Sequence, residues 1–346
     1  MNTVGDLLRD AATGTNVERV AADFDRFPVP AGLRYRLGLA GQQGDEGTGR
    51  VHVPAGNLVV LAGPGVVETG SVAGLRAFAA TAKAPVANTW GAKGVFPWDS
   101  PHHMGTCGLQ ARDFELLGFA DYDVIVAAGV DAAESAQERF ALAPVVALEP
   151  SDLARLAQHV TPATRPIRPN GLYERLSKVA QPGFVDDRLP LHPARAVADL
   201  RAAVPAGGVV TADPGRAGLW VARTFATTEP GSVVVPAAVE PGIATGLALV
   251  AALRGVPAIA VTTEPLDHAT LAVLELATEL GAELVVDVWG SGGPVRRADD
   301  HVAQLHAAVG DSGVSIVDVP VDLSLTRKLI DAAGPVVAWG GLPGNE

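Results

Sequence analysis

Residues 57–82, NLVVLAGPGVVETGSVAGLRAFAATA, decide the fold class. The run LVVLA at residues 58–62 is continuously apolar and of strand length, the pattern of a strand buried on both faces. Gly63 and Gly65 turn the chain, and Val72, Leu75 and Phe78 then share one helical face. A strand, a glycine turn and a helix together make the repeating unit of a doubly wound parallel sheet. Further units follow: APVANTW at 84–90, YDVIVAAG at 122–129 and PVVALEP at 144–150 are short apolar runs separated by helical or turn segments.

A Pro-rich polar stretch, TPATRPIRPNG at 161–171, interrupts this alternation and reads as a linker that extends to about residue 190. A second α/β series succeeds it. LHPARAVADLRAAV (191–204) reads as a helix and GGVVTADPG (207–215) as a strand with a turn, followed by an apolar helix ending near residue 253. VPAIAVTTE (256–264), AELVVDVWGSGG (282–293) and SIVDVP (315–320) read as strands, with helices at 268–281 and 301–309 between them. In the helix after His268, the spacing of Leu271, Leu274 and Ala277 or Thr278 predicts the face that packs on the sheet. The expected division is an N-terminal extension at 1–55, a Rossmann-like domain at 56–160, a linker at 161–190 and a second α/β domain at 191–340. Within the extension, GQQGDEGTG at 41–49 reads as a surface loop.

Composition agrees with this layout. The chain has 346 residues, 48% hydrophobic and only 18% charged, enough apolar material for two cores under small-residue helices. A formal charge of −12 argues against nucleic acid or an anionic membrane as main partner, since phosphate neutralisation needs clustered Lys and Arg. The single cysteine, Cys107, excludes an internal disulfide framework and a multi-cysteine zinc site, which points to a reducing cytoplasm. The first residues carry charges and lack an apolar core, so no signal peptide is expected. The most apolar stretch, IATGLALVAAL at 243–253, is too short to cross a bilayer.

Several residues are candidates for chemistry. Gly63, Gly65 and Gly70 lie between a strand and a helix, where backbone amides can hold phosphate; a tight turn is the alternative. Lys93, flanked by Gly91 and Gly94, can reach a phosphate or be a solvated turn lysine. Asp213 and Gly215 end a strand, where α/β proteins gather site residues, although an aspartate there also serves as a turn or cap residue. His102, His103 and Cys107 cluster within six residues but lack a further well-spaced ligand, so loop structure is the favoured reading over a metal site.

The order of these units resembles the thiamine-diphosphate-dependent enzymes of the acetolactate synthase, benzoylformate decarboxylase and menaquinone-pathway synthase type. The resemblance is carried by LVVLAGPG, the GAKG turn at 91–94, the Pro- and His-containing loop ending at MGTCG, FADYDVIVAAG and VVALEPSD for the central domain. VVTADPGRAGLWVARTF, VEPGIATGLALVAALRGVP and LAVLELATELGAELVVDVWGSGG carry it for the diphosphate-binding domain. It implies that Asp213, Gly215 and the Gly242 loop lie beside the cofactor, thiamine diphosphate held through Mg²⁺. The family's metal ligands are an Asp in a Gly-Asp-Gly turn and an Asn about 27 residues later. Here Thr262 and Thr263 stand at the first turn, and Trp289 and Gly290 at the second. Mg²⁺ demands near-octahedral oxygen ligation, so no metal ligand is assigned. Glu264, Asp267 and Asp287 are the acids that compensation would use, while turn and cap roles are the alternative for the first two.

The resemblance also implies a pyrimidine-binding domain of about 170 residues carrying the activating glutamate, where only some 55 residues precede the central domain. The expectation is therefore a protein of this fold that is not catalytic alone. It would be a pseudoenzyme or a subunit of a homo- or hetero-oligomer. One alternative is half of a split lyase or transferase acting on a 2-oxo acid, with the pyrimidine domain on a separate chain. Another is a module binding FAD, an adenine nucleotide or coenzyme A through the Gly63–Gly70 turn.

Overall fold

The protein is described by a computed structural model covering residues 29–41, 52–164 and 171–342. Most of the N-terminal extension and of the glycine-rich run at 41–49 lies outside the described residues. The chain divides into two compact units.

The first is built mainly from residues 34–179 around a five-stranded sheet in the order β3-β2-β1-β4-β5. Its strands are β1 (Leu58–Ala62), β2 (Val86–Thr89), β3 (His103–Cys107), β4 (Val124–Ala128) and β5 (Val145–Leu148). All neighbours are parallel, with Val60 opposite Val86 on one side and Val126 on the other. Every residue of β1 and β4 is buried, as their unbroken apolar runs predict. Helix α1 (Val72–Ala82) buries Val72, Leu75 and Phe78, the face read from sequence. Strand β3 falls where a loop was expected; HMGTC contains a glycine, and the register against β2 slips between Val86 and Ala87. Phe114, Phe119 and Phe140 stack edgewise or tilted in the core, centroids 5.2 and 5.8 Å from Phe114. Within the stretch read as a linker, helix α2 (Gly171–Ala180) sends Leu172 into this core.

The second unit comprises residues 180–225 and 232–326 among its described parts. Its sheet runs β10-β9-β8-β6-β7. The strands are β6 (Val209–Ala212), β7 (Val233–Val234), β8 (Ala258–Thr263), β9 (Leu284–Gly290) and β10 (Val314–Pro320), again all parallel. The two-residue β7 gives no periodic signal. Helices α3 (Pro193–Ala203), α4 (Arg216–Thr224), α5 (Ile243–Leu253), α6 (His268–Glu279) and α7 (Ala298–Gly310) connect the strands. Helix α5 is buried nearly all round, from Ile243 to Ala251, consistent with its lack of a polar face. Each fully buried Leu or Val there contributes about 1.5–3 kcal/mol relative to exposure. Of the packing face expected for α6, Leu274 and Ala277 are buried but Leu271 is 43% exposed; Thr270 and Val273 complete the buried stripe. That stripe lies on the side where Thr270 meets Gly242. Each sheet thus belongs to its own doubly wound parallel domain, the fold class read from sequence.

Candidate functional site

Ligands of open parallel sheets gather at the carboxyl ends of strands, where the strand order reverses direction. In the second unit this point lies between β6 and β8, because β7 is added on one side of β6 and β8, β9 and β10 on the other. The site residues expected in this unit converge on that edge. Asp213 follows β6, Thr263 ends β8 and Gly290 ends β9, with Thr263 opposite Trp289 in register. Gly215 turns the chain into α4 with φ of 137°. Gly242 precedes α5 at φ 72°; a Cβ there would lie 2.8 Å from Thr270 N, so glycine allows the start of α5 to approach that of α6.

Asp213 is the best-defined polar group of this edge. Its Oδ1 accepts the Ala244 N–H at 3.0 Å, in the first turn of α5. Burial pushes its carboxyl above the ordinary aspartate value, while the Thr262 hydroxyl and Ala244 N–H partly restore the ionised form. Asp213 therefore ties the end of β6 to the start of α5.

The acids that compensation would use are engaged elsewhere. Asp267 caps α6, its Oδ1 accepting from Thr270 N at 2.7 Å. Glu264 turns back over the end of β9, and its Oε2 accepts the Ser291 N–H at 3.0 Å. A Cβ added to Gly290 would lie 2.1 Å from that carboxylate, so Glu264 fills the space into which a side chain at 290 would project. Asp287 points into the interior, with Oδ2 accepting from Trp289 Nε1 at 2.7 Å and Oδ1 3.2 Å from His301 Nε2. Among the described residues, no group of three or more His, Cys, Asp or Glu is arranged to hold a metal ion.

Of the candidates in the first unit, the turn from Gly63 to Gly70 occupies the corresponding switch point, between β1 and β4. Gly63 N donates to Ala128 O and Gly65 N to Gly129 O, both at 2.9 Å, and Gly70 N donates to Val67 O. A Cβ on Gly63 would sit 2.2 Å from Gly129 O, and one on Gly129 would sit 2.7 Å from Val66 N. Two glycine turns interlock here, and the amides of Gly63 and Gly65 serve that junction. Lys93 is not the solvated lysine that a glycine-flanked turn suggests: it is 7% exposed, with Nζ 3.4 Å from Thr106 Oγ1. The turn is folded inward where Gly94 meets the backbone of Glu229. Lys93 and burial together hold the His103 imidazole down at about 4, burial being the larger effect. His102 Nδ1 bonds Ala84 O and Cys107 Sγ donates to Asn88 O, so these three residues serve separate contacts; His103 and Cys107 lie in strand β3 and not in the loop expected.

Glu134 is a residue that no sequence pattern singled out. It is 6% exposed, its Oε2 accepts from Gly91 N at 3.2 Å, and burial raises its carboxyl to about 7. A lone glutamate in a polar turn, VDAAES, carries no periodic or motif signal.

Comparison with known proteins shows what the chain is similar to. Residues 54–163 match the thiamine pyrophosphate enzyme central domain. A probable acetolactate synthase large subunit of Methanocaldococcus jannaschii is 24% identical over 276 residues, covering 66% of this chain and 44% of that protein. The chain thus spans less than half the length of this curated relative. Two solved structures share the fold at a TM-score of 0.59. The thiamine diphosphate-dependent 4-hydroxybenzoylformate decarboxylase of Rhodococcus jostii RHA1 is 16% identical, with 79% of this chain and 66% of that one covered. A Mycobacterium smegmatis protein described as thiamin diphosphate-dependent is 20% identical, with coverages of 77% and 61%. No helix among the described residues is long and apolar enough to cross a membrane. Residues 54–163 thus carry the thiamine pyrophosphate enzyme central domain, and the chain as a whole is similar in fold to thiamine diphosphate-dependent proteins.

Proposed function

We propose that this chain is an acetolactate synthase-like subunit or pseudoenzyme that does not bind and activate thiamine diphosphate through its own residues. The observation that carries this reading is the Glu264 carboxylate over Gly290, bonded to Ser291 N. The resemblance puts the two metal ligands at Thr263 and Gly290. A divalent cation bridging a diphosphate needs a near-octahedral set of oxygen ligands. Thr263 offers a neutral hydroxyl, Gly290 offers no side chain, and Glu264 is turned onto the backbone of the next residue. Asp287 has one oxygen on Trp289 and the other beside His301. The residues at this edge therefore do not fit the metal-bound diphosphate, and no catalytic step is derived through it.

The name of the archaeal relative, a large subunit, supports a role within a larger assembly. If a 2-oxo acid is processed, a partner chain supplies the cofactor-activating residues. The purified chain should consume neither pyruvate nor benzoylformate in the presence of thiamine diphosphate and Mg²⁺. Consumption that rises saturably with thiamine diphosphate would overturn the reading.

A further inference from the structure

The second unit contains a buried chain of charges outside the edge described above. Arg195, on α3, donates from Nε to Asp199 Oδ1 at 2.9 Å and from Nη2 to Asp299 Oδ1 at 2.8 Å, and its Nη1 is bonded to Asp187. The other oxygen of Asp199 lies 3.0 Å from His301 Nδ1, on α7. The opposite ring nitrogen, Nε2, lies 3.2 Å from Asp287 Oδ1, on β9, and Asp287 Oδ2 accepts from Trp289. His301 and Asp287 are 0% exposed, Trp289 1% and Asp199 5%.

This geometry dictates the protonation state. A neutral imidazole has one N–H, whereas both ring nitrogens here face a carboxylate oxygen, so only the imidazolium can donate to both. The interior then holds two carboxylates, Asp199 and Asp287, against two cations, Arg195 and His301. Removing the proton leaves one buried carboxylate facing a ring lone pair, an uncompensated arrangement that a low-dielectric interior penalises.

We infer that His301 is a charged strut that holds α3, α7 and the Trp289–Gly290 end of β9 together, and that its deprotonation at alkaline pH releases α7 and that strand end. The same network explains why a tryptophan at position 289 is compatible with the fold: its indole is held by a carboxylate that His301 compensates. The groups facing the strut are Arg195 and Asp199 from α3 and Asp287 from β9, with Asp187 and Asp299 at the solvent side of Arg195. Asp318 on β10 lies within electrostatic reach of Asp287: burial raises the Asp318 carboxyl, and Glu264 and Asp287 raise it further. Burial opposes charge on His301, but Asp287 and Asp199 outweigh it and lift the imidazole from 6.5 to about 9. For a group raised in the folded state, stability is full below the unfolded value of 6.5 and is lost as pH rises through about 9. The inference does not depend on whether the chain binds a cofactor.

The test is histidine-detected NMR on the intact chain, with the His301 signal assigned by its loss in His301→Gln, together with amide hydrogen exchange. His301 should remain an imidazolium through pH 8 and titrate near 9. Corrected for intrinsic rates, protection at residues 284–290 and 298–310 should fall by close to tenfold per pH unit between about 7 and 9. His301→Gln should lack that slope. If it does not fold, Asp287→Asn provides the check, because losing one flanking carboxylate should shift the titration of the same ring downward. A wild-type titration at or below 6.5, or one unchanged by Asp287→Asn, would overturn the inference.

Discussion

Restoring an asparagine at position 290 probes the Glu264 arrangement directly. The added Cβ would lie 2.1 Å from the Glu264 carboxyl carbon and Oε2. Those atoms are the far end of an exposed, flexible side chain, so Glu264 swings aside and the backbone of β9 need not move. The loss is then one charge-assisted bond to the Ser291 N–H, which water partly replaces at this exposed place, about 1 kcal/mol. Residue 290 does not have a positive φ, so asparagine fits the backbone and offsets a few tenths of a kcal/mol through reduced freedom of the unfolded chain. Gly290→Asn should therefore destabilise by about 0.5–1 kcal/mol and Glu264→Ala by about 1 kcal/mol. The double variant should lose no more than about 1 kcal/mol, because the same bond cannot be lost twice. Urea denaturation of the four proteins measures the cycle. Additivity within about 0.3 kcal/mol would show that Glu264 does not occupy the space above Gly290, and the geometric basis for the misfit would fail.

Other perturbations follow from the first unit. Gly63→Ala puts a methyl 2.2 Å from Gly129 O and 2.3 Å from Val130 Cα, both backbone, and should cost about 3 kcal/mol in chemical denaturation. Phe114→Ala empties a fully buried position between Phe119 and Phe140 and should cost about 3–5 kcal/mol by the same assay. Glu134 is raised from 4.5 to about 7, so its folded form binds more protons than the unfolded chain across that window. Its contribution is present below 4.5 and is lost as pH rises through 7. Glu134→Gln should match the wild type near pH 4.5 and exceed it at pH 8 by on the order of 3 kcal/mol, read as thermal midpoints against pH. A difference that is constant with pH would show that Glu134 ionises normally.

Much of the fold is legible because parallel sheets write themselves as continuous apolar runs. LVVLA, VIVAA, AIAVTT and LVVDVWG all emerge as strands. What escapes has a physical reason. Strand β3 carries a glycine and a register slip, β7 is two residues long, and α2 follows a Pro-rich run whose composition masks the amphipathic GLYERLSKVA. In α6 the expected Leu274 and Ala277 are buried, while Leu271 of the same stripe stays outside and Thr270, beside Gly242, is buried in its place. The edge formed by Asp213, Thr263 and Gly290 is readable because each residue ends a strand. The burial of Lys93 is not, since a glycine-flanked lysine looks solvated until the turn is seen folded inward. The contact of Asp199 with His301 joins residues 102 positions apart, and no local pattern announces it.

Calorimetric titration of the purified chain with thiamine diphosphate in the presence of millimolar Mg²⁺ tests the central claim most directly. The arrangement of Thr263, Glu264 and Gly290 predicts no saturable heat, with or without the metal. Micromolar, Mg²⁺-dependent binding by the chain alone would contradict it.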